Sequence, residues 1–102
     1  MKLEHYSKEK LKKEIKEIIG KYLDLTKYQI FFFGSRVDGS SHERSDIDVG
    51  IEGPEEISAV DITNIKEDID KLIILYKIDV LDFKTLIGSD FYEVAKQKIE
   101  IF

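Results

Sequence analysis

The stretch Phe31–Glu52, FFFGSRVDGSSHERSDIDVGIE, leaves this chain few ways to fold. An apolar run, Ile30 to Phe33, breaks abruptly into Gly34-Ser35, and a polar loop then leads to a second strand-like segment, Asp46 to Glu52. A Gly-Ser turn closing a buried strand can offer backbone N–H groups and a hydroxyl to an anion. Asp46 and Asp48 stand at i and i+2. In a strand both point to one face, while Ile47, Val49 and Ile51 point to the other. Two like charges side by side repel, which a strand accepts when a cation neutralises them. A phosphate cradle followed by a carboxylate pair suits divalent-metal-assisted phosphoryl or nucleotidyl transfer.

Around this stretch the periodicity predicts an α/β (α+β) domain. Leu11, Ile15, Ile18, Ile19, Tyr22 and Leu23 form one stripe of a helix from about Ser7 to Leu25, with Ser7 as its N-cap. Tyr28 to Phe33 reads as the first strand, apolar enough to be covered on one face and partly on the other. Residues 34–45 form a loop with room for one helical turn. Gly53-Pro54-Glu55-Glu56 signals a helix start. That helix runs to about Ile74 and buries Ile62, Ile65, Ile69, Leu72 and Ile73. Lys77 to Phe83 is the third strand, and Ser89 caps a last helix burying Phe91, Val94, Ala95 and Ile99. The order is α-β-α-β-α-β-α: a small mixed sheet of about three strands, backed by helices on one side.

The 102 residues are enough for one domain, spanning 1–102, and the 42% apolar share supplies its core. Charge is divided unevenly. Residues 1–36 carry nine Lys/Arg and five acids (+4), and residues 37–102 carry seven and sixteen (−9), which together give the net −5. The acidic part is a poor surface for a nucleic-acid backbone, and the early lysines alternate with glutamates as on a solvated helix face. The chain has no cysteine, so it has no disulfide, thiolate ligand or thiol nucleophile. No apolar run reaches the roughly 18–20 residues of a membrane span, and the expectation is a soluble, cytoplasmic protein.

Asp79, between Ile78 and Val80, has the parity to face where Asp46 and Asp48 face. Three carboxylates on one face can hold two Mg²⁺ ions, roughly 3.5–4 Å apart in such sites. Oxygen donors suit Mg²⁺ or Mn²⁺ better than zinc. Asp82, three residues on, faces the other way in a regular strand and takes a structural role, unless a bulge intervenes. Gly34 lets the backbone approach a phosphate and Ser35 hydrogen-bonds it. Arg36 either offsets phosphate charge or pairs with Asp38 or Glu43. Gly39 serves the loop conformation, and Ser45 steadies the aspartate strand. His5 and His42 read as surface residues.

Gly34-Ser35-x-x-x-Gly39, five residues, then Ser45-Asp46-x-Asp48 resembles the signature of the polymerase-β-type nucleotidyltransferase superfamily. Length and element order resemble its small stand-alone members, the minimal nucleotidyltransferases (MNT). The resemblance implies that Asp46 and Asp48 bind metals, that Asp79 completes the site and helps activate the attacking hydroxyl, and that Gly34 and Ser35 hold the phosphates of ATP or another NTP. It also implies a role, the antitoxin of a toxin–antitoxin pair whose partner is a helical HEPN-domain toxin, modified by transfer of AMP to a hydroxyl. Two alternatives stand beside it. One is a binding module that neutralises a HEPN partner by contact without catalysis. The other is a small-molecule adenylyltransferase, for which a homodimer would have to wall the acceptor pocket.

Overall fold

A computed structural model describes residues 3, 6–34, 37 and 46–102. Helix α1 spans Lys8–Gly20, and the Ser7 hydroxyl accepts from the Lys10 N–H at its start. Its buried stripe is Leu11, Ile15, Ile18 and Ile19. The helix stops before the predicted Leu25, and Tyr22 leaves it to donate its hydroxyl to Asp68 at 2.5 Å.

Strands β1 (Gln29–Phe33), β2 (Ile47–Glu52), β3 (Ile78–Asp82) and β4 (Glu100–Ile101) form one mixed sheet in the order β3-β2-β1-β4. β1 runs antiparallel to β2, with Phe33 opposite Asp48. β2 runs parallel to β3, with Asp48 opposite Asp79 and Ile51 opposite Asp82. Helix α2 (Ala59–Asp70) makes the crossover that a parallel pair needs. It starts at Ala59 under a Ser58 cap, not at Gly53-Pro54, and ends at Asp70. Ile73, expected in the core, is 97% exposed on the connection that follows. Strand β4 is a fourth strand that periodicity did not reveal. It is two residues long and held at the far edge by pairing with Phe31 and Phe32, too short for any pattern to show.

Alternation divides the core between the two faces of the sheet. Ile30, Phe32, Ile47, Val49, Ile51, Ile78 and Val80 pack beneath α1 and α2. Phe31, Phe33 and Phe83 make a second cluster on the opposite face. The Phe83 ring meets Phe31 and Phe33 edge-on, with centroids 4.8 and 4.9 Å away. An added Cβ on Gly50 would overlap the Phe31 and Phe83 rings, so a side chain there is excluded by packing.

Helical cover on one side only was therefore too simple. A 3₁₀ turn (Phe83–Leu86) and the short helix α3 (Asp90–Ala95, capped by Ser89) roof part of the second face. β1 is apolar at consecutive positions, so both of its faces need cover. Glu52 ties α3 to the sheet, accepting from the Tyr92 hydroxyl at 2.6 Å and from Lys96 Nζ at 2.7 Å. Burial pushes the Glu52 carboxyl up, but these two donors outweigh it and hold the group below its usual range. Within α3, Tyr92 and Ala95 pack inward with Ile99 beyond the helix, whereas Phe91 and Val94, expected to be buried, stand exposed. Among the described residues no helix is long and apolar enough to cross a membrane.

Candidate active site

The candidate site lies where β1 ends and β2 and β3 begin. At the end of β1 the chain turns through Gly34, whose φ of +86° is a backbone region that disfavours side chains. An added Cβ there would also overlap an Asp48 carboxylate oxygen, so a side chain at this position is strained in backbone and displaces the carboxylate. The Gly34 carbonyl accepts from the Val37 N–H at 3.1 Å.

Asp48 and Asp79 are register partners on adjacent parallel strands. Their side chains therefore point to the same face, with Cβ atoms on the order of 5 Å apart. Asp46 is exposed immediately before β2. Burial raises the Asp48 carboxyl above its ordinary value, and the charges of Asp79 and then Asp46 add to the effect. Lys77 reaches Asp79 at 4.0 Å. The two register partners open into a cleft of about 910 Å³ walled by Phe33 and Gly34 on one side and by Phe91, Val94 and Ala95 on another. Among the described residues no group of three or more acidic or histidine side chains is close enough to make a metal cage. The close pair is Asp48 with Asp79, and Asp46 acts on it through its charge.

Ser35, Arg36, Gly39 and Ser45, together with His5 and His42, lie outside the described residues. Asp82 has its own work. Its carboxylate accepts from the Ile57 N–H at 2.8 Å and from the Lys84 N–H at 3.0 Å, capping the 3₁₀ turn and pinning the segment before α2. Asp82→Asn removes the charge from a part-buried acceptor of two backbone bonds and is expected to cost about 1–2 kcal/mol. Asp79→Asn, half exposed and paired only loosely with Lys77, is expected to change stability by less than about 0.5 kcal/mol. Urea unfolding of the two variants checks this, and the opposite ranking would overturn the division of labour.

The sequence pattern marked none of the cleft's lysines, Lys66, Lys77 and Lys98, nor Leu81, as site residues, and it placed Phe91 and Val94 in the core rather than at the cleft. One signal was there to find. Tyr92 stands about 100° round the helix from Phe91 and farther still from Val94, so a helix that buries Tyr92 turns Val94 away from the sheet.

The sequence profile of the family described as Polymerase beta, Nucleotidyltransferase matches residues 13–102. No curated protein matches the chain. A solved structure titled "Crystal structure of the toxin-antitoxin with AMP-PNP" aligns with a TM-score of 0.62 at 16% identity, over 87% of this chain and 69% of that one. At that identity the likeness is one of fold. The profile match takes in the Gly34 turn, both strands of the carboxylate pair and the C-terminal helix, and on it this chain belongs to the polymerase beta nucleotidyltransferase family.

Proposed function

We propose that this protein transfers a nucleoside monophosphate, AMP from ATP, to a hydroxyl of a partner protein, and that it is the MNT antitoxin of a pair whose toxin has a HEPN domain. The observation that carries the reading is the Asp48–Asp79 register pair beside a glycine turn at the end of a buried strand. The residues fit divalent metal. Asp48 is raised by burial and by two neighbouring carboxylates, so a cation relieves an unfavourable charge cluster, and the donors are all oxygen. Asp46, Asp48 and Asp79 would hold two Mg²⁺ ions, with Mn²⁺ as the substitute, and bound metal supplies neutralisation of the charge that develops on the phosphates.

The chain's own residues do the rest. Gly34 brings backbone close to the phosphates, and Ser35 and Arg36 are assigned to the same group, with Gly39 and Ser45 shaping the loop. The acceptor oxygen bonds to the α-phosphorus as the α–β bridging P–O bond breaks. Pyrophosphate leaves with that electron pair, and the hydroxyl proton passes to the Asp79 carboxylate. A protein partner and an adenine nucleotide both fit the fold relative, a toxin–antitoxin with AMP-PNP. A cytoplasmic setting belongs to the same proposal.

The second reading, a contact inhibitor without catalysis, draws on the lack of a three-carboxylate cage among the described residues. One experiment separates the two. The chain is incubated with the protein encoded by the neighbouring reading frame, ATP and Mg²⁺, and intact masses are read. The enzymatic reading expects the partner to gain one or more AMP units only when Mg²⁺ is present. If the Asp46→Asn/Asp48→Asn/Asp79→Asn variant neutralises the partner as well as the wild type does, with no mass gain in either case, the protein is a binding module.

A further inference from the structure

Among the described residues β3 is the outermost strand at its side of the sheet. The cleft extends along that free edge, taking in Ile78 and Val80 from the helix-covered face and Asp79 and Leu81 from the carboxylate face. One bond fixes which backbone groups face outward. The Ile47 N–H donates to the Lys77 carbonyl at 2.8 Å, so the backbone groups of Lys77 face β2. By alternation those of Asp79 and Leu81 also face β2, and those of Ile78, Val80 and Asp82 face outward. Such a row is a template for an added strand, reached here only through the cleft, because Ile78 and Val80 are themselves 8% and 3% exposed.

The surroundings describe the occupant. Val94 is 68% exposed on the α3 wall, and Ile73 and Leu75 are exposed on the connection leading into β3. Lys66 of α2 and Lys98 beyond α3 line the cleft together with Asp70 of α2, and among the described residues neither lysine is paired with a carboxylate. These features call for an extended segment with apolar side chains and acidic flanks. A second copy fits poorly, because joining β3 to β3 would crowd two Asp48–Asp79 pairs together, which like charge opposes.

We propose that the outward edge of β3 docks an extended, acid-flanked segment of the acceptor protein as an added strand, so that its hydroxyl residue lies beside Asp79. The inference rests on the transferase reading and adds how the acceptor is recognised. Residues directly opposite on neighbouring strands share a face, with Cβ atoms about 4.5–5.5 Å apart. The residue across from Asp79 therefore presents its side chain to the carboxylates. Backbone pairing supplies affinity, and register selects the hydroxyl.

The probe is a blocked synthetic peptide, Glu-Val-Thr-Val-Tyr-Val-Thr-Val-Glu, added to the full chain with and without Mg²⁺ and ATP. Residue-resolved amide hydrogen exchange is the readout. The amides of Asp79 and Leu81 should be slow before peptide is added, and that of Val80 should slow by at least about tenfold on addition. N-methylation of alternate peptide residues should weaken binding by at least about tenfold. Val80→Pro removes an outward N–H without touching the β2 ladder and should have the same effect. Because Val80 is also a core residue, Lys66→Glu/Lys98→Glu provides a surface test, expected to lower affinity by about tenfold.

A Val80 amide that ignores the peptide while Mg²⁺-ATP still stabilises the protein overturns the docking proposal alone. So does a Val80 amide that slows with protein concentration in parallel with a doubled sedimentation mass, which would name a second copy as occupant. A protected Val80 amide in a protein that Mg²⁺-ATP neither stabilises nor uses to label the peptide upholds the docking edge and overturns the transferase reading.

Discussion

Asp48→Asn is expected to lower nucleotidyl transfer on the order of 10³-fold while raising the melting temperature of the metal-free protein. The activity loss follows from the several kcal/mol of charge stabilisation that a metal supplies and a missing ligand forfeits, each 1.4 kcal/mol being about tenfold in rate. The gain in stability follows from the carboxyl's environment. Burial, then Asp79 and Asp46, raise the folded Asp48 above its ordinary value of 3.8, so the native state binds this proton more tightly than the unfolded chain does. That contribution is fully present below the unfolded value and is lost as pH rises through it to the raised folded value. At neutral pH the ionised group is a liability, and asparagine removes it. The advantage of the variant should therefore be largest near pH 7 and vanish below about pH 3.8. Added Mg²⁺ should reverse the order, because only the wild-type site gains stability by mass action. Melting curves across pH, with and without Mg²⁺, test all of this. A Mg²⁺ response as large in the variant as in the wild type would sink the metal assignment.

Gly34→Ala is the second change expected to have a large effect. At φ +86° an alanine costs about 1–2 kcal/mol in backbone strain. Its methyl group would also come closer to an Asp48 carboxylate oxygen than van der Waals contact allows, so the carboxylate must move. A displacement near 1 Å in a reacting constellation can cost about 10²-fold, and transfer should fall by that order. If the methyl acts through Asp48, Gly34→Ala/Asp48→Asn should transfer no more slowly than Asp48→Asn alone. Full transfer by Gly34→Ala would remove the turn from the site.

Short-range features of this chain were legible without coordinates. Ser7 and Ser89 were readable as caps because a hydroxyl needs only its own next three residues to find a free N–H. The period-two alternation of β2 and β3 put Asp48 and Asp79 on the face opposite their aliphatic neighbours and turned Asp82 away from them. Alternation says which way a side chain points but not what stands beside it. Asp48 meets Asp79 only because β2 and β3 pair in parallel at this register, a consequence of how α2 packs across the sheet.

The start of α2 shows the same limit from the other side. Gly53-Pro54 is good local chemistry for a helix start, yet the Ile57 N–H bonds to Asp82, 25 residues further on, and the helix waits for Ser58. Phe91 and Val94 are as apolar as any core residue. α3 nevertheless lies against Phe83 through Tyr92, tethered by Glu52, and that orientation leaves the two exposed at the cleft wall. Strand β4 exists because β1 offers it an open edge. Alternation and capping are decided within a few residues, so sequence alone determined the helices and the three longer strands in outline and the face of the carboxylates. Strand order, register and the exposed cleft come from contacts between distant segments, whose closure entropy only the whole fold repays, and these the tertiary structure decided.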